Sequence, residues 1–437
     1  MATMKFSLSG FPEWLPEQRA IELAFLDAVR QGFELHGFVN IETRAVEPLE
    51  RLAQSGDAGK EIYVLRRIHD ERVDAGIGLH FDLTVPFARY VVENAGKLEF
   101  PFRRYQVQKV WRGERPQEGR YREFTQADID VVGRDELPLF VDAEVAIAML
   151  DVLTRLPIPG VTLRVNNRKL IQGFFAGQGV LEIEPVLRAV DKLAKLGEAT
   201  VRGELADLGL SEQVIDRALA LARIATADNS FADAVRALGV SDPLLDEGIA
   251  ELHAVLDAIR AASSSTVLAD LSIARGLDYY TGTVFETTLT GFEAAGSICS
   301  GGRYDSLAKS GSTMFPGVGI SLGVSRLLGV LFGADALSIT RPAATLVLVA
   351  VEDEATRSAS NAVATALRAR GIPTEVSPSA AKFGKQIKYA DRRGIPYVWF
   401  VESDEVKDIR SGEQVPAATW NPSPDELTPR IMLKEPS

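Results

Sequence analysis

RRYQVQKVWRGERPQEGRYREFTQADIDVVG, residues 103–133, is the stretch from which the rest of the chain can be read. Both ends alternate apolar and polar residues, and the centre is polar and contains glycine. That is the pattern of a long antiparallel hairpin. In and around its centre stand Arg112, Glu114, Arg115, Arg120 and Arg122, with Phe124 just downstream. Like charges on a short ribbon repel, and a bound anion would relieve that repulsion. Guanidinium forks fit phosphate oxygens bidentately, and an adjacent aromatic could stack a nucleobase. On charge alone, a solvated hairpin fits equally well.

Working outward, LHFDLTVPFARYV (79–91) reads as a strand, a turn and a helix, and EIYVLRR (61–67) as a strand. GFVNIETRAVEPLERL (37–52) reads as a strand running into a loop at Pro48. A helix is expected after Pro16, with Ile21, Phe25 and Val29 on one buried stripe. Beyond the hairpin, Ala143, Ala146, Ile147, Leu150 and Leu153 mark another helix. From about 168 to 262 the chain is rich in Ala and Leu with helical periodicity throughout, a helical insertion closed by AASSST (261–266). Strand-like sequence resumes at 266–289. A glycine-rich stretch (296–308) then leads to PGVGISLGVSRLLGVL (316–331), a strand followed by a helix. After Arg341-Pro342, strands at 344–351, 373–378 and 396–402 alternate with helices at 355–371 and 382–394, which predicts a small α/β domain with parallel pairing.

Composition narrows the function classes. The chain has 437 residues, 60 acidic and 48 basic, for a formal net charge of -12. This length allows several domains. Its 46% hydrophobic and 25% charged content excludes wholesale disorder, collagen and coiled-coil rods. The acidic balance argues against non-specific nucleic-acid binding but leaves room for a local basic face. Cys299 is the only cysteine, so no intrachain disulfide forms and a reducing, intracellular setting is expected. His36, His69, His80 and His253 show no metal spacing. No apolar span reaches the roughly 18 residues of a membrane helix, and no secretory signal is read.

Three further segments carry chemistry-bearing residues. In SIARGLDYYTGTVFE (272–286), Arg275, Tyr279 and Tyr280 suit either a polar pocket wall or a half-buried strand turn. Gly301-Gly302-Arg303-Tyr304-Asp305 offers close backbone approach to a ligand, or a plain turn. Gly319 to Arg326 is a small-residue strand feeding a helix, whose Arg326 could face phosphate or solvent.

Taken together, these segments resemble the histidyl-tRNA synthetase family of class II aminoacyl-tRNA synthetases, over essentially the whole chain. Arg112, Glu114 and Phe124 match the class-wide Arg-x-Glu, loop and Phe. RGLDYYTGTVFE resembles the signature of histidine-specific members. GGRYD and GISLGVSR fit the same family, the latter as its third class motif. GFVNIETRAVEPLE resembles the first class motif, which in the family forms the dimer interface. DLTVPFARYV resembles the segment around the substrate amino group, and the last domain resembles the family's anticodon-binding domain. The sequence departs from the pattern at Arg44, where a proline usually follows the Thr, and at Ser325, where an acidic residue often stands. The segment 401–414 looks shorter than usual, missing most of a hairpin.

The resemblance implies an α+β fold. It implies a catalytic domain in two parts (1–167 and 263–335), a helical insertion (168–262) and an anticodon-binding α/β domain (343–437). It implies a ligase that activates L-histidine with ATP and transfers it to the 3′ end of histidine tRNA. Arg112 and Arg275 would be catalytic. Arg112, Glu114, Arg120, Tyr121, Arg122, Phe124 and Arg326 would bind ATP. Asp82, Thr84, Arg112, Gln126, Asp130, Arg275, Tyr279 and Tyr280 would bind histidine. ATP is expected as a substrate with magnesium, with no tightly bound organic cofactor. A cytoplasmic homodimer with no membrane partner is expected. A catalytically silent paralogue, serving as regulatory subunit of ATP phosphoribosyltransferase, is the alternative. Such proteins typically lack both the RGLDYYT-type signature and the anticodon domain.

Finally, Lys382, Lys385, Lys388, Arg392 and Arg393 lie along one expected helix. The spacing projects the three lysines to a common side. Within a domain resembling an anticodon module, this is the basic face expected to hold RNA phosphate, with Tyr389 or Trp399 available to stack unpaired bases.

Overall fold

The structure is a computed structural model describing residues 7–53, 61–69, 76–117, 119–273 and 280–434. The chain divides into two compact units, residues 1–12 with 26–333 and residues 13–25 with 334–437.

The larger unit is built on a nine-stranded sheet. Its strands are β1 (Val39–Asn40), β2 (Phe102–Trp111), β3 (Glu123–Val132), β4 (Val161–Asn167), β5 (Ala225–Thr226), β6 (Thr266–Asp270), β7 (Thr283–Leu289), β8 (Ser297–Tyr304) and β9 (Gly317–Gly323). Their order is β1-β2-β3-β9-β8-β7-β4-β6-β5. Only β1/β2 and β4/β6 are parallel; the other neighbours are antiparallel. With its helices, α1 (Pro16–Leu35, of which residues 26–35 belong to this unit), α2 (Thr84–Asn94), α3 (Phe140–Thr154), α4 (Arg168–Ala176), α5 (Pro243–Ala262) and α6 (Val324–Gly333), this is the α+β fold that was expected.

The hairpin β2–β3 separates two chemistries by strand alternation. Tyr105, Ala127, Ile129 and Val131 are buried, and α3 and α6 pack against β3. The other set pairs across the hairpin, Arg104 with Asp130, Gln106 with Asp128 and Gln108 with Gln126. Beyond β3 it continues onto Gly319, Ser321 and Gly323 of β9. Polar residues thus share one face around the middle of a sheet, the side on which a site is assembled.

The helical run at 168–262 is tied to this sheet. α5 packs on α3, β4 and β6. α4 and α5 cross so closely that a Cβ on Gly173 would lie 2.1 Å from the Leu245 nitrogen, and one on Gly248 2.1 Å from the Leu170 nitrogen. Glycine at both positions lets two backbones touch. Within the run, β5 pairs with β6, a strand too short to break the helical periodicity around it.

Two strand readings need correction. The strand expected from residue 37 stops after two residues; Val46–Pro48 instead pairs antiparallel with Ile77–Leu79. EIYVLRR forms only an isolated bridge, Val64 to Gly78. Two backbone bonds, Leu65 N–H to Ile77 O and Leu79 N–H to Tyr63 O, dock it on that short pair without extending a ladder, and the Glu61 carbonyl accepts the Gly113 N–H.

The smaller unit has β10 (Val347–Val349), β11 (Thr374–Val376), β12 (Tyr397–Phe400), β13 (Glu405–Asp408) and β14 (Gln414–Pro416) in the order β11-β10-β12-β13-β14. The first three are parallel, and the rest form antiparallel pairs. Helices α7 (Arg357–Ala369) and α8 (Phe383–Arg393) fill the crossovers, and Gly394, at φ +68°, closes α8 in the left-handed conformation. The segment 401–414 does hold a hairpin, β13–β14, with a tight return at Gly412. Trp399 is a core residue, 8% exposed and edge-on to Trp420. It cannot stack bases, because β12 is buried along its length.

Candidate active site

Two adjoining cavities open on the polar face of the sheet. The outer one, about 170 Å³, is lined by Arg112, Glu114, Arg120, Tyr121, Phe124, Gln126, Cys299 and Arg326, among others. The loop between β2 and β3 holds its own arginines in place. Arg112 Nε donates to the Phe81 carbonyl at 2.9 Å, and its guanidinium lies 5.1 Å from the Phe124 ring centre. Arg120 Nη1 reaches Glu114 Oε2 at 3.4 Å. Tyr121 lies against α6, where a Cβ on Gly329 would come within 2.5 Å of its hydroxyl. Arg326 begins α6 and donates to the Ala295 carbonyl. Ser325, in the place of the acidic residue, accepts the Thr125 N–H at 2.8 Å and so ties α6 to β3. Arg122 does not line the cavity; its Nε donates to the Glu114 carbonyl at 3.1 Å and its backbone N–H to the Gly10 carbonyl at 2.7 Å.

The inner cavity, about 80 Å³, is lined by Asp82, Thr84, Arg112, Gln126, Asp128, Asp130, Tyr280, Tyr304 and small residues of β8 and β9. Arg112, Gln126, Ser300 and Ser321 are common to both cavities. Asp82 precedes α2, and its Oδ1 accepts the Val85 N–H at 3.1 Å. Pro86 then fits the first turn, where a missing N–H costs nothing. Asp130 accepts from Arg104 at 2.5 Å and from the Tyr304 hydroxyl at 2.7 Å. Arg104 is completely buried, its guanidinium 4.2 Å from the Phe87 ring centre. Glycines make the space. A Cβ on Gly319 would sit 2.1 Å from Asp130 Oδ1, and one on Gly302 would sit 3.0 Å from the Tyr280 ring.

Below this floor, a buried ion pair holds the end of β8. Arg303 Nη2 meets Asp142 Oδ1 at 2.6 Å, and Thr283 donates to Asp142 Oδ2 at 2.6 Å. The Thr281 N–H in turn donates to the Arg303 carbonyl at 2.8 Å. The backbone next to Tyr280 is thereby fixed against the sheet.

Burial dominates the electrostatics of the inner cavity. It raises the carboxyl groups of Asp82, of Asp130 (to about 6) and of Asp128 (to about 7), with Arg104 opposing the shift in each case. Of the expected site residues, Asp82, Thr84, Arg112, Glu114, Arg120, Tyr121, Phe124, Gln126, Asp130, Tyr280 and Arg326 converge on the two cavities. Arg275 and Tyr279 lie outside the described residues. Sequence reasoning overlooked Arg104, Asp128 and Tyr304. Asp128 stands between Gln126 and Asp130 at period two, and Tyr304 belongs to the GGRYD run, so both carried a signal.

A histidyl-tRNA synthetase family model matches residues 10–327, and an anticodon binding domain model matches residues 345–414. The chain belongs to the histidyl-tRNA synthetase family. The family's curated members include a histidine–tRNA ligase of Cutibacterium acnes, 53% identical over 99% of both chains, and one of Micrococcus luteus, 54% identical over 98% of both. A crystal structure of a histidyl-tRNA synthetase from Nostoc sp. PCC 7120 superposes with a TM-score of 0.83 at 36% identity, covering 94% of this chain and 96% of that one.

Proposed function

We propose that this protein activates L-histidine with ATP, releasing pyrophosphate, and transfers the histidyl group to the 3′ end of histidine tRNA. The observation that carries the reading is a pair of cavities meeting at Arg112. One is walled by arginines and an aromatic ring, the other by carboxyl groups. The first suits a nucleotide, the second an amino acid.

In the first step an oxygen of the histidine carboxylate attacks the α-phosphorus of ATP, and the bond to pyrophosphate breaks. Two anions must meet, so the protein's task is alignment and positive charge rather than supply of a nucleophile. Arg112, at the junction, contacts both the carboxylate and the α-phosphate, and Arg275 takes the opposite side. Phe124 stacks the adenine; Glu114, Arg120 and Tyr121 surround the base and outer phosphates, Arg122 braces their loop through the Glu114 carbonyl, and Arg326 meets the γ-phosphate. Asp82 and Thr84 read the α-amino group with Gln126 and Asp130 beside them. Tyr279 and Tyr280 face the imidazole. Paired hydrogen bonds to the ring nitrogens allow discrimination of about 10⁴–10⁵ without editing. Magnesium enters with the ATP phosphates, as part of the substrate. In the second step a ribose hydroxyl attacks the histidyl carbonyl and expels AMP, with a phosphate oxygen as base.

The remaining assignments follow the family. Residues 1–167 and 263–335 form the catalytic domain, 168–262 the insertion and 343–437 the anticodon-binding domain. The protein works as a cytoplasmic homodimer, with the segment from residue 37 in the contact. A silent regulatory role is disfavoured by the coherent pair of cavities and the anticodon model match. ATP–pyrophosphate exchange with each standard amino acid tests the reading. Exchange should require histidine and magnesium; no exchange with histidine, or equal exchange with proline, would overturn it.

A further inference from the structure

Asp128 lines the inner cavity and stands opposite Ser321 on β9 and Gln106 on β2. It is 3% exposed. Ser321 hydrogen-bonds the carboxyl group, yet Oδ1 has no hydrogen-bond partner among the described residues. The charged and titratable groups facing Asp128 are Arg104 from β2, Asp130 on its own strand, Asp82 from the turn before α2 and the Cys299 thiol from β8. Arg112, Tyr280 and Tyr304 complete the wall.

The balance of charge is lopsided. Three carboxyl groups line a cavity of about 80 Å³ with one guanidinium, that of Arg112, on its wall. The other nearby guanidinium, Arg104, is bound to Asp130 and does not line the cavity. Arg112 Nε is already given to the Phe81 carbonyl. A buried carboxylate oxygen without a donor is costly, so such a group either holds a proton or meets a cation.

We propose that Asp128 is a further histidine-binding residue, protonated in the empty cavity, whose Oδ1 accepts a charged N–H of the bound amino acid once its own proton has left. This rests on the inner cavity being the histidine site. The step balances: the carboxyl O–H bond breaks, the proton goes to solvent, and the carboxylate accepts N⁺–H···O⁻ from the ligand. The rise of the Asp128 carboxyl to about 7, caused by burial, opposed by Arg104 and reinforced by Asp130, fits a group that is largely protonated just below neutrality. The cationic donor is the α-ammonium, which is fully protonated near neutrality; an imidazole, about half neutral there, would take up the proton that Asp128 gives off.

The test is calorimetry of histidine binding to the full-length protein, in buffers of different ionisation enthalpy at about pH 6.5, where an unperturbed carboxyl would already be ionised. The wild-type protein should release a substantial fraction of a proton per histidine. Asp128→Asn should release less and bind histidine about tenfold or more weakly, as loss of a charged hydrogen-bond acceptor implies. Imidazole-propionic acid, which lacks the ammonium, should show no difference in proton release between wild type and Asp128→Asn; a difference that persists overturns the ammonium as the donor. If Asp128→Asn binds histidine normally and releases the same proton, the proposal is overturned alone. If wild-type protein does not bind histidine at all, the cavity assignment falls and takes the proposal with it.

Discussion

Arg112 reaches both cavities while its Nε is held by the Phe81 carbonyl and its face by the Phe124 ring. That anchoring leaves the two Nη groups as an oriented fork, which a lysine cannot imitate. Arg112→Lys should therefore lower the rate of adenylate formation by about 10²-fold or more while thermal stability stays near wild type. Single-turnover adenylate formation beside a melting curve checks both halves. The buried carboxyls make a second prediction, about pH. Burial raises Asp82, Asp128 and Asp130 above their unfolded values. Between the unfolded and folded values the folded state binds more protons, so this contribution to stability falls as pH rises from about 4 to about 7. Asp128→Asn removes one such group, and relative to wild type it should gain stability across that window in urea titrations of the unliganded protein. Parallel curves would contradict the assignment of a raised carboxyl. Much of this site was legible from residue type and period. Arg104 was not, because its burial depends on standing opposite Asp130 and above Phe87, partners that only pairing register and the placing of α2 supply.

At the scale of elements, the hairpin β2–β3 could be read directly because polar and apolar residues alternate over 104–108 and 126–131, within strands of ten residues each. The failures have the opposite cause. β1 and β5 are two residues each, and the backbone bonds of Tyr63 and Leu65 are made to a strand pair of three residues. Such elements exist through tertiary pairing rather than through their own pattern. The α4–α5 crossing was similarly invisible, since a glycine in a helix announces nothing about the backbone across from it. It gives a sharp stability test. Gly248→Ala would push a methyl group to within 2.1 Å of the Leu170 nitrogen, against backbone that cannot swing away. Overpacking of this kind costs about 1–3 kcal/mol or more. Gly203→Ala, in a helix with no neighbour in reach of the new methyl, should be neutral or slightly stabilising by the same urea measurement.

For the whole molecule, net charge and local charge point in different directions. The chain is acidic overall, yet Lys382, Lys385 and Lys388 are exposed at the start of α8 and form no ion pair among the described residues. Tyr389, beside them, is only partly buried, with the Arg393 guanidinium 5.6 Å from its ring centre. Reversing the three lysines to glutamate should weaken tRNA binding and flatten its salt dependence, since each lost phosphate contact lowers the slope by about one. Histidine-dependent pyrophosphate exchange should be untouched. Filter binding across a salt series, run beside the exchange assay, separates the two. The chain's only thiol, Cys299, is sealed in β8 on the flank of the outer cavity, where burial holds it in its unreactive, protonated form. A disulfide reagent added to the native enzyme therefore reacts slowly, at a rate set by how often the strands part or the outer cavity opens. The rate at which colour develops becomes a built-in clock of that opening, needing neither label nor engineered background. ATP and histidine together should make that clock run slow.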